Sequence, residues 1–273
     1  MRNMRKQKQI SASALALAIL LASIAAAPAS DSQASGCPHK GALGIARILA
    51  VDPAATPRVG LKSFPQSLPL RDHEVVLTFD DGPSPPNTRK VLAALEKECV
   101  RATFFLIGKS ASEHPELVRR IAAGEHTVGH HTWSHPSLKQ IKPSETTEEI
   151  DRGIAAVEMA LHGVATTTPS TPFFRFPYFD STPATLDLLQ ARGIAVFGAD
   201  LWASDWNPMT PQQELKLLIE RLGIARKGII LLHDPRAQTA AMLPAFLRYL
   251  RDNGYSVVHI VPPSPANASE RGP

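Results

Sequence analysis

Val75-Val76-Leu77-Thr78-Phe79-Asp80-Asp81-Gly82-Pro83 carries an apolar run into two adjacent carboxylates and a turn. Val75 to Phe79 reads as a buried strand, and the Gly-Pro pair that follows forces the chain to turn, so Asp80 and Asp81 stand at the strand's carboxyl end. In barrel folds that end of a strand is where active sites are built. Further along comes His131-Thr132-Trp133-Ser134-His135. Its two imidazoles, four positions apart, fall on one side of a helical turn and can grip one cation.

Outward from this strand, short apolar runs alternate with amphipathic stretches at the spacing of βα units. The expected strands cover 75–81, 102–108, 126–132, 173–179, 195–201, 227–234 and 255–261. Helical patterns lie near 87–98, 115–123, 145–162, 183–192, 211–225 and 239–252. Seven strands and six helices describe an α/β fold, a parallel barrel or a doubly wound sheet, in a catalytic domain spanning 75–262. Residues 30–74, proline-rich and less periodic, read as an arm packing on that body, and 263–273 as a disordered tail. On this map Asp80 and Asp81 end the first strand, His131 the third, Arg175 the fourth, Asp200 the fifth, and His233 with Asp234 the sixth. The polar chemistry gathers at one rim, where barrel side chains converge on a pocket.

Asp81 with His131 and His135 gives two imidazoles and a carboxylate, a donor set that leaves positions open for water and suits a catalytic metal. An isolated pair of histidines in a polar loop is more often solvated; the Asp-Asp turn and the rim placement reverse that preference. Such a metal lowers the pKa of bound water from 15.7 toward roughly 7. Asp80, beside the ligand but free of the metal, is then placed to take the water's proton, although the Asp81-Gly82 pair that follows also suits plain turn chemistry. Zinc is the default for these ligands, with cobalt, nickel or manganese fitting the same geometry. His130 competes with His131 as a ligand, and the spacing to His135 selects His131. The histidines at 39, 73, 114, 126, 162 and 259 read as structural or surface residues.

Thr78-Phe79-Asp80-Asp81-Gly82-Pro83, His131 to His135, Arg175-Phe176-Pro177-Tyr178, Asp205-Trp206 and Ile230-Leu231-Leu232-His233 occur in the order and approximate spacing of the five motifs of the polysaccharide deacetylases, carbohydrate esterase family 4, nodulation-type chitooligosaccharide deacetylases included. The chain resembles that family over residues 74 to 261. The resemblance implies a distorted (β/α) barrel, with Asp81, His131 and His135 as metal ligands and Asp80 as general base. It makes Arg175 the residue that orients the base and Tyr178 the donor of a backbone N–H to the oxyanion. His233 resembles the acid that protonates the leaving amine, Asp205 the carboxylate that tunes it, and Leu231 and Trp206 walls of the acetyl pocket. The fourth motif of the family often carries an aspartate where this chain has Trp202, which leaves the outer wall of the pocket open.

The chain of 273 residues has a formal charge of +4, from 29 basic and 25 acidic residues. Arg2, Arg5, Lys6 and Lys8 precede an uncharged run from Ile10 to Ala27 that ends in Ala27-Pro28-Ala29. That is the layout of a signal peptide over residues 1–29, and an uncleaved anchor is the alternative. Those four basic residues account for the whole excess, so no basic surface for nucleic acid is expected. Export implies a secreted, periplasmic or cell-envelope location without stable membrane insertion once the leader is cleaved. It would also allow Cys37 and Cys99 to bridge; a buried Cys99 and a free Cys37 is the equal alternative. The expected activity is an exported, metal-dependent N-deacetylase, acting as a monomer on an acetylated N-acetylglucosamine-type glycan such as peptidoglycan, a chitin-like polymer or exopolysaccharide. O-acetyl ester hydrolysis is a second reading of the same site. A catalytically silent glycan-binding barrel is the third, and it requires a missing motif residue where none is missing.

Overall fold

The computed structural model describes residues 37–264. The leader expected over 1–29, and the tail beyond residue 264, lie outside the described residues. The strand that opens the barrel is β3 (Glu74–Asp80), and every residue of it is buried. A strand packed on both faces needs apolar residues in both phases, which is why Val75 to Phe79 runs continuously instead of alternating with polar residues.

In chain order the elements are β1 (Arg47–Ala50), β2 (Arg58–Val59), β3, α1 (Asn87–Lys97), β4 (Thr103–Leu106), α2 (Gly108–Glu113), α3 (Pro115–Ala123), β5 (Thr127–His130) and α4 (Pro143–His162). There follow β6 (Phe173–Phe174), a 3-10 turn at Pro177–Phe179, α5 (Pro183–Ala191), β7 (Ala195–Phe197), β8 (Leu201–Trp202), α6 (Pro211–Ala225), β9 (Gly228–His233), α7 (Ala237–Asp252) and β10 (Ser256–Val261). Proline opens α3, α4, α5 and α6, where its missing N–H costs nothing. Thr182 and Thr210 cap α5 and α6 by accepting from the N–H groups of Thr185 and Gln213, each at 3.2 Å.

All strand pairs are parallel. From β3 the barrel wall runs one way through β4, β5, β6 and β7, and the other way through β9 to β8. This is the distorted (β/α) barrel, and it departs from the expected count in three places. The strand expected over 195–201 is split into β7 and β8, because the arm takes the backbone groups between them. Gly198 N donates to Val59 O at 2.6 Å and Lys62 N to Ala199 O at 2.9 Å. The arm itself does more than pack: β1 pairs with β10 and β2 with β7. Helix α2 was not expected, since six residues are too few to display a period.

Alternation along the strands sorts side chains into two layers. Val75, Leu77 and Phe79 point outward, among Val91 and Leu95 of α1, Leu218 of α6 and Leu243 and Phe246 of α7. Val76 points into the barrel with Phe105, Phe173, Phe197 and Ile229. Phe174 and Phe176 pack outward against Ile150 and Ile154 of α4 and Leu189 of α5. Each of these fully buried side chains stabilises the fold by about 1.5–3 kcal/mol relative to exposure. Cys37 is disulfide-bonded to Cys99 across 62 residues, with Cα atoms 5.7 Å apart. Glu98 beside it accepts from Leu43 N and Arg251, so the start of the arm is tied to the ends of α1 and α7. Among the described residues no helix is long and apolar enough to cross a membrane.

Candidate active site

The inward phase of the strands delivers the site. Val76, Thr78 and Asp80 alternate into the barrel on β3. Phe173 is followed in phase by Arg175, and Ile229 by Leu231 and His233. Gly129, against the ring of Phe105, is followed by His131. These rows end together at the carboxyl rim, so Asp80, His131, Arg175 and His233 meet there.

Phase also corrects two expectations. Asp234 belongs to the outward row of β9: it is fully buried, bonded to Thr88 Oγ1, and its carboxylate fills the space where a side chain at Gly82 would stand. Burial pushes its pKa up to about 7. Asp200, in the gap between β7 and β8, faces the arm, accepting from Leu61 N at 2.8 Å, Ser67 Oγ at 2.6 Å and Ile229 N at 2.7 Å. His130 lies in the outward row of β5, buried near Glu158 of α4 at 3.7 Å.

Arg175 is completely buried. Its Nη1 donates to Asp80 Oδ1 at 2.7 Å and to Thr78 Oγ1 at 2.8 Å, its Nε to Phe197 O at 3.1 Å and its Nη2 to Gly198 O at 2.8 Å. The guanidinium lies over the ring of Phe105, 4.3 Å from its centre. A buried cation is costly unless paired and hydrogen-bonded, and here it is both. The pairing occupies Asp80 Oδ1 and leaves Oδ2 facing His131 Nε2 at 3.9 Å.

His131 to His135 is not a helical turn. Thr132 and His135 have φ of 64° and 63°, and the loop is held from outside. The first N–H groups of α2 bond its carbonyls, Gly108 N to Thr132 O and Lys109 N to Trp133 O, both at 2.9 Å. Ser134 is bonded to Glu149 of α4, and Gly153 of α4 lets the loop backbone come closer than a Cβ would allow. The left-handed residues, not helical periodicity, turn both rings inward. Asp81, at φ 74°, likewise leaves the strand direction of Asp80.

Three ligand atoms result. Asp81 Oδ1 lies 3.4 Å from His131 Nε2 and 3.2 Å from His135 Nε2, with all three atoms within 4.8 Å of one another. His131 Nδ1 donates to Arg175 O at 2.7 Å, which fixes the tautomer and presents the Nε2 lone pair to the centre of the group. Asp81 Oδ1 is buried without a hydrogen-bond partner. Lone pairs facing a carboxylate oxygen repel unless a cation lies between them, so the donor set fits one divalent metal. Burial pushes the Asp81 carboxyl up, yet the neighbouring imidazoles of His131, His233 and His135 outweigh it and hold the group well below the usual carboxylate range. Burial, then the charge of His131, lowers His135 and favours the neutral ring that a metal requires.

His233 stands beside this group, its Nε2 3.9 Å from Asp81 Oδ2. Asp205, fully buried, accepts from His233 N at 2.7 Å and from His233 Nδ1 at 2.8 Å. Burial alone would lower this imidazole, but the Asp205 hydrogen bond and charge, with help from Asp81 and Asp80, raise it to about 9. Trp206, 42% exposed, stands edge-on to His233 with ring centres 6.0 Å apart, and Trp202 packs on Trp206 at 5.9 Å. Leu231 is buried one inward step below His233. Tyr178, at φ 56° and 66% exposed, sets its ring edge-on to His135 at 4.7 Å. Thr78, which braces Arg175, and Thr239 and Glu214 behind Asp205 were not singled out from the sequence. Thr78 was legible as the inward residue two before Asp80; the other two sit on helices and look like ordinary helix residues.

Residues 68–197 match the polysaccharide deacetylase family. The chain is 31% identical over 198 residues to a chitooligosaccharide deacetylase of Sinorhizobium fredii, covering 67% of this chain and 88% of that one. It is 32% identical over 186 residues to a peptidoglycan-N-acetylglucosamine deacetylase of Listeria monocytogenes, covering 68% of this chain but only 38% of the relative, so it spans about two fifths of that protein's length. Among solved structures it resembles a Bdellovibrio bacteriovorus peptidoglycan deacetylase, with TM-score 0.71 and 28% identity over 82% of this chain and 61% of that chain. A Streptomyces lividans family 4 carbohydrate esterase, solved with acetate, gives TM-score 0.57 and 33% identity over 70% and 92%.

Proposed function

The chain belongs to the polysaccharide deacetylase family, and from that premise we propose that it is an exported, metal-dependent N-deacetylase of N-acetylglucosamine-type glycans at the cell envelope. The observation that carries this reading is the partnerless Asp81 Oδ1 beside two imidazole nitrogens, with Asp80 Oδ2 3.9 Å from His131 Nε2 and His233 Nε2 3.9 Å from Asp81 Oδ2. Relatives named for peptidoglycan and for chitooligosaccharides support the substrate class. The uncharged run after Arg2, Arg5, Lys6 and Lys8 supports export.

Amide hydrolysis needs an activated water, a stabilised oxyanion and a proton for the departing amine. A divalent cation held by Asp81, His131 and His135 supplies Lewis-acid polarisation and acidifies water. Asp80 Oδ2, freed by the hold of Arg175 on Oδ1, takes the proton of the attacking water. His233 stays protonated in neutral solution through Asp205 and hands its Nε2 proton to the leaving nitrogen. The backbone N–H of Tyr178 supports the oxyanion, and Leu231 and Trp206 flank the acetyl methyl.

Acetate release from N-acetylglucosamine oligomers and from peptidoglycan, with and without chelator, tests the proposal. Loss of release on chelation and in Asp80→Asn is expected; release that survives both would overturn it. The resemblance to a family 4 carbohydrate esterase favours a second reading, O-acetyl ester hydrolysis. An ester leaving group needs less protonation, so His233→Ala should impair amide cleavage far more than cleavage of an activated ester if the amide is the natural bond.

A further inference from the structure

Behind the His233–Asp205 pair the polar contacts continue into the helical layer. Asp205 Oδ2 and Glu214 Oε1 each lie 2.9 Å from the hydroxyl of Thr239. All three residues are fully buried, and Glu214 Oε2 has no hydrogen-bond partner. A threonine hydroxyl has one proton to donate and can accept another. Were Glu214 ionised, two carboxylates would compete for that single proton, and an uncompensated charge would sit on Oε2. With a proton on Glu214 Oε1 every contact is satisfied: Glu214 donates to Thr239, Thr239 donates to Asp205 Oδ2, and Asp205 accepts from His233.

We propose that Glu214 is a positioning residue, a buried neutral carboxylic acid that directs the Thr239 hydroxyl onto Asp205 and so holds Asp205 as the fixed acceptor of His233. The charged and titratable groups around it are few. Asp205 comes from the loop after β8 and His233 from the end of β9, while α7 presents the Thr239 hydroxyl. On α6 itself, Arg221 is turned to Trp202 O and Ser204 Oγ. The first-turn position on α6 favours an anion, but burial and then the charge of Asp205 outweigh it, lifting the carboxyl to about 7. The line of contacts therefore holds below neutral pH and breaks as Glu214 ionises, when Thr239 must choose between two carboxylates.

This inference rests on the proposed role of His233, and its test separates the two. Difference infrared spectra of the full protein between pH 6 and pH 8.5 should show two protonated carboxylic acids that disappear near pH 7, those of Asp234 and Glu214, and only the Glu214 band should be missing in Glu214→Gln. That readout requires no substrate. For acetate release, Glu214→Gln keeps a donor toward Thr239 and should retain kcat within about threefold at pH 6 while losing the break near pH 7. Glu214→Leu and Thr239→Val should each lose roughly tenfold in kcat with little change in KM. The inference is overturned if the Glu214 acid signal is missing at pH 6, if Glu214→Gln is as impaired as Glu214→Leu, or if the break persists in Glu214→Gln. The acid signal without turnover on any glycan supports the hydrogen-bond order and refutes the functional reading instead.

Discussion

Replacing Asp205 with Asn removes a charge from a group that has no exposed surface and makes two of its three hydrogen bonds to one residue. Asp205, with help from Asp81 and Asp80, outweighs burial to lift His233 from 6.5 to about 9. That favours the imidazolium by about 3 kcal/mol. Without the carboxylate, burial is opposed only by the charges of Asp81 and Asp80, and the ring falls back to about the ordinary imidazole value of 6.5. At pH 8 the protonated fraction then falls from about 90% to about 3%, so amide turnover should drop about thirtyfold, with its alkaline limb displaced by about two pH units. A bound cation lowers the imidazole in both proteins, so the displacement between them remains. The metal-free fold supplies a second readout. The native state keeps a proton on His233 between pH 6.5 and 9 that the unfolded chain has lost, so this pair contributes its full stability below 6.5 and loses it as pH rises through 9. Urea unfolding at pH 6.5 and 9 should reveal that loss of about 3 kcal/mol in the parent and its absence in Asp205→Asn. Equal alkaline limbs and equal pH slopes in the two proteins would refute the reasoning.

Three further outcomes follow from buried contacts. Arg175→Met strands Asp80 without its cation and should destabilise the fold by about 3–5 kcal/mol, read as a lower urea midpoint, with loss of acetate release. Cys99→Ser opens a disulfide-closed loop of 62 residues, and about 4 kcal/mol should disappear from the unfolding free energy in the absence of reductant and nothing in its presence. Gly82→Ala drives a methyl into the Asp234 carboxylate, which is buried and cannot yield cheaply; calorimetry should show about 1–3 kcal/mol of destabilisation.

The sequence was most legible where one strand could be read residue by residue. Val75 to Phe79 announced a buried parallel strand, and its phase alone separates Asp80, which enters the barrel, from the outward set. Extended to β5 and β9, the same phase selects His131 over His130, in agreement with the spacing to His135, and excludes Asp234, which spacing does not. Asp200 was misplaced because the 195–201 run looks continuous, and only contacts with the distant arm divide it. The arm strands β1 and β2 are short and pair with strands remote in sequence, so no local period marks them. His131 to His135 has helical spacing without a helix, since left-handed backbone at Thr132 and His135 leaves no trace in a pattern of polar residues. Glu214 and Thr239 read as a first-turn acid and an ordinary helix threonine until Asp205 is brought beside them.

Anomalous X-ray scattering from crystals grown with stoichiometric zinc tests the central claim most directly. One peak is predicted at about 2.0–2.2 Å from Asp81 Oδ1, His131 Nε2 and His135 Nε2 together. Ordered zinc held by other side chains, or fully occupied crystals in which these three atoms share no peak, would contradict the account.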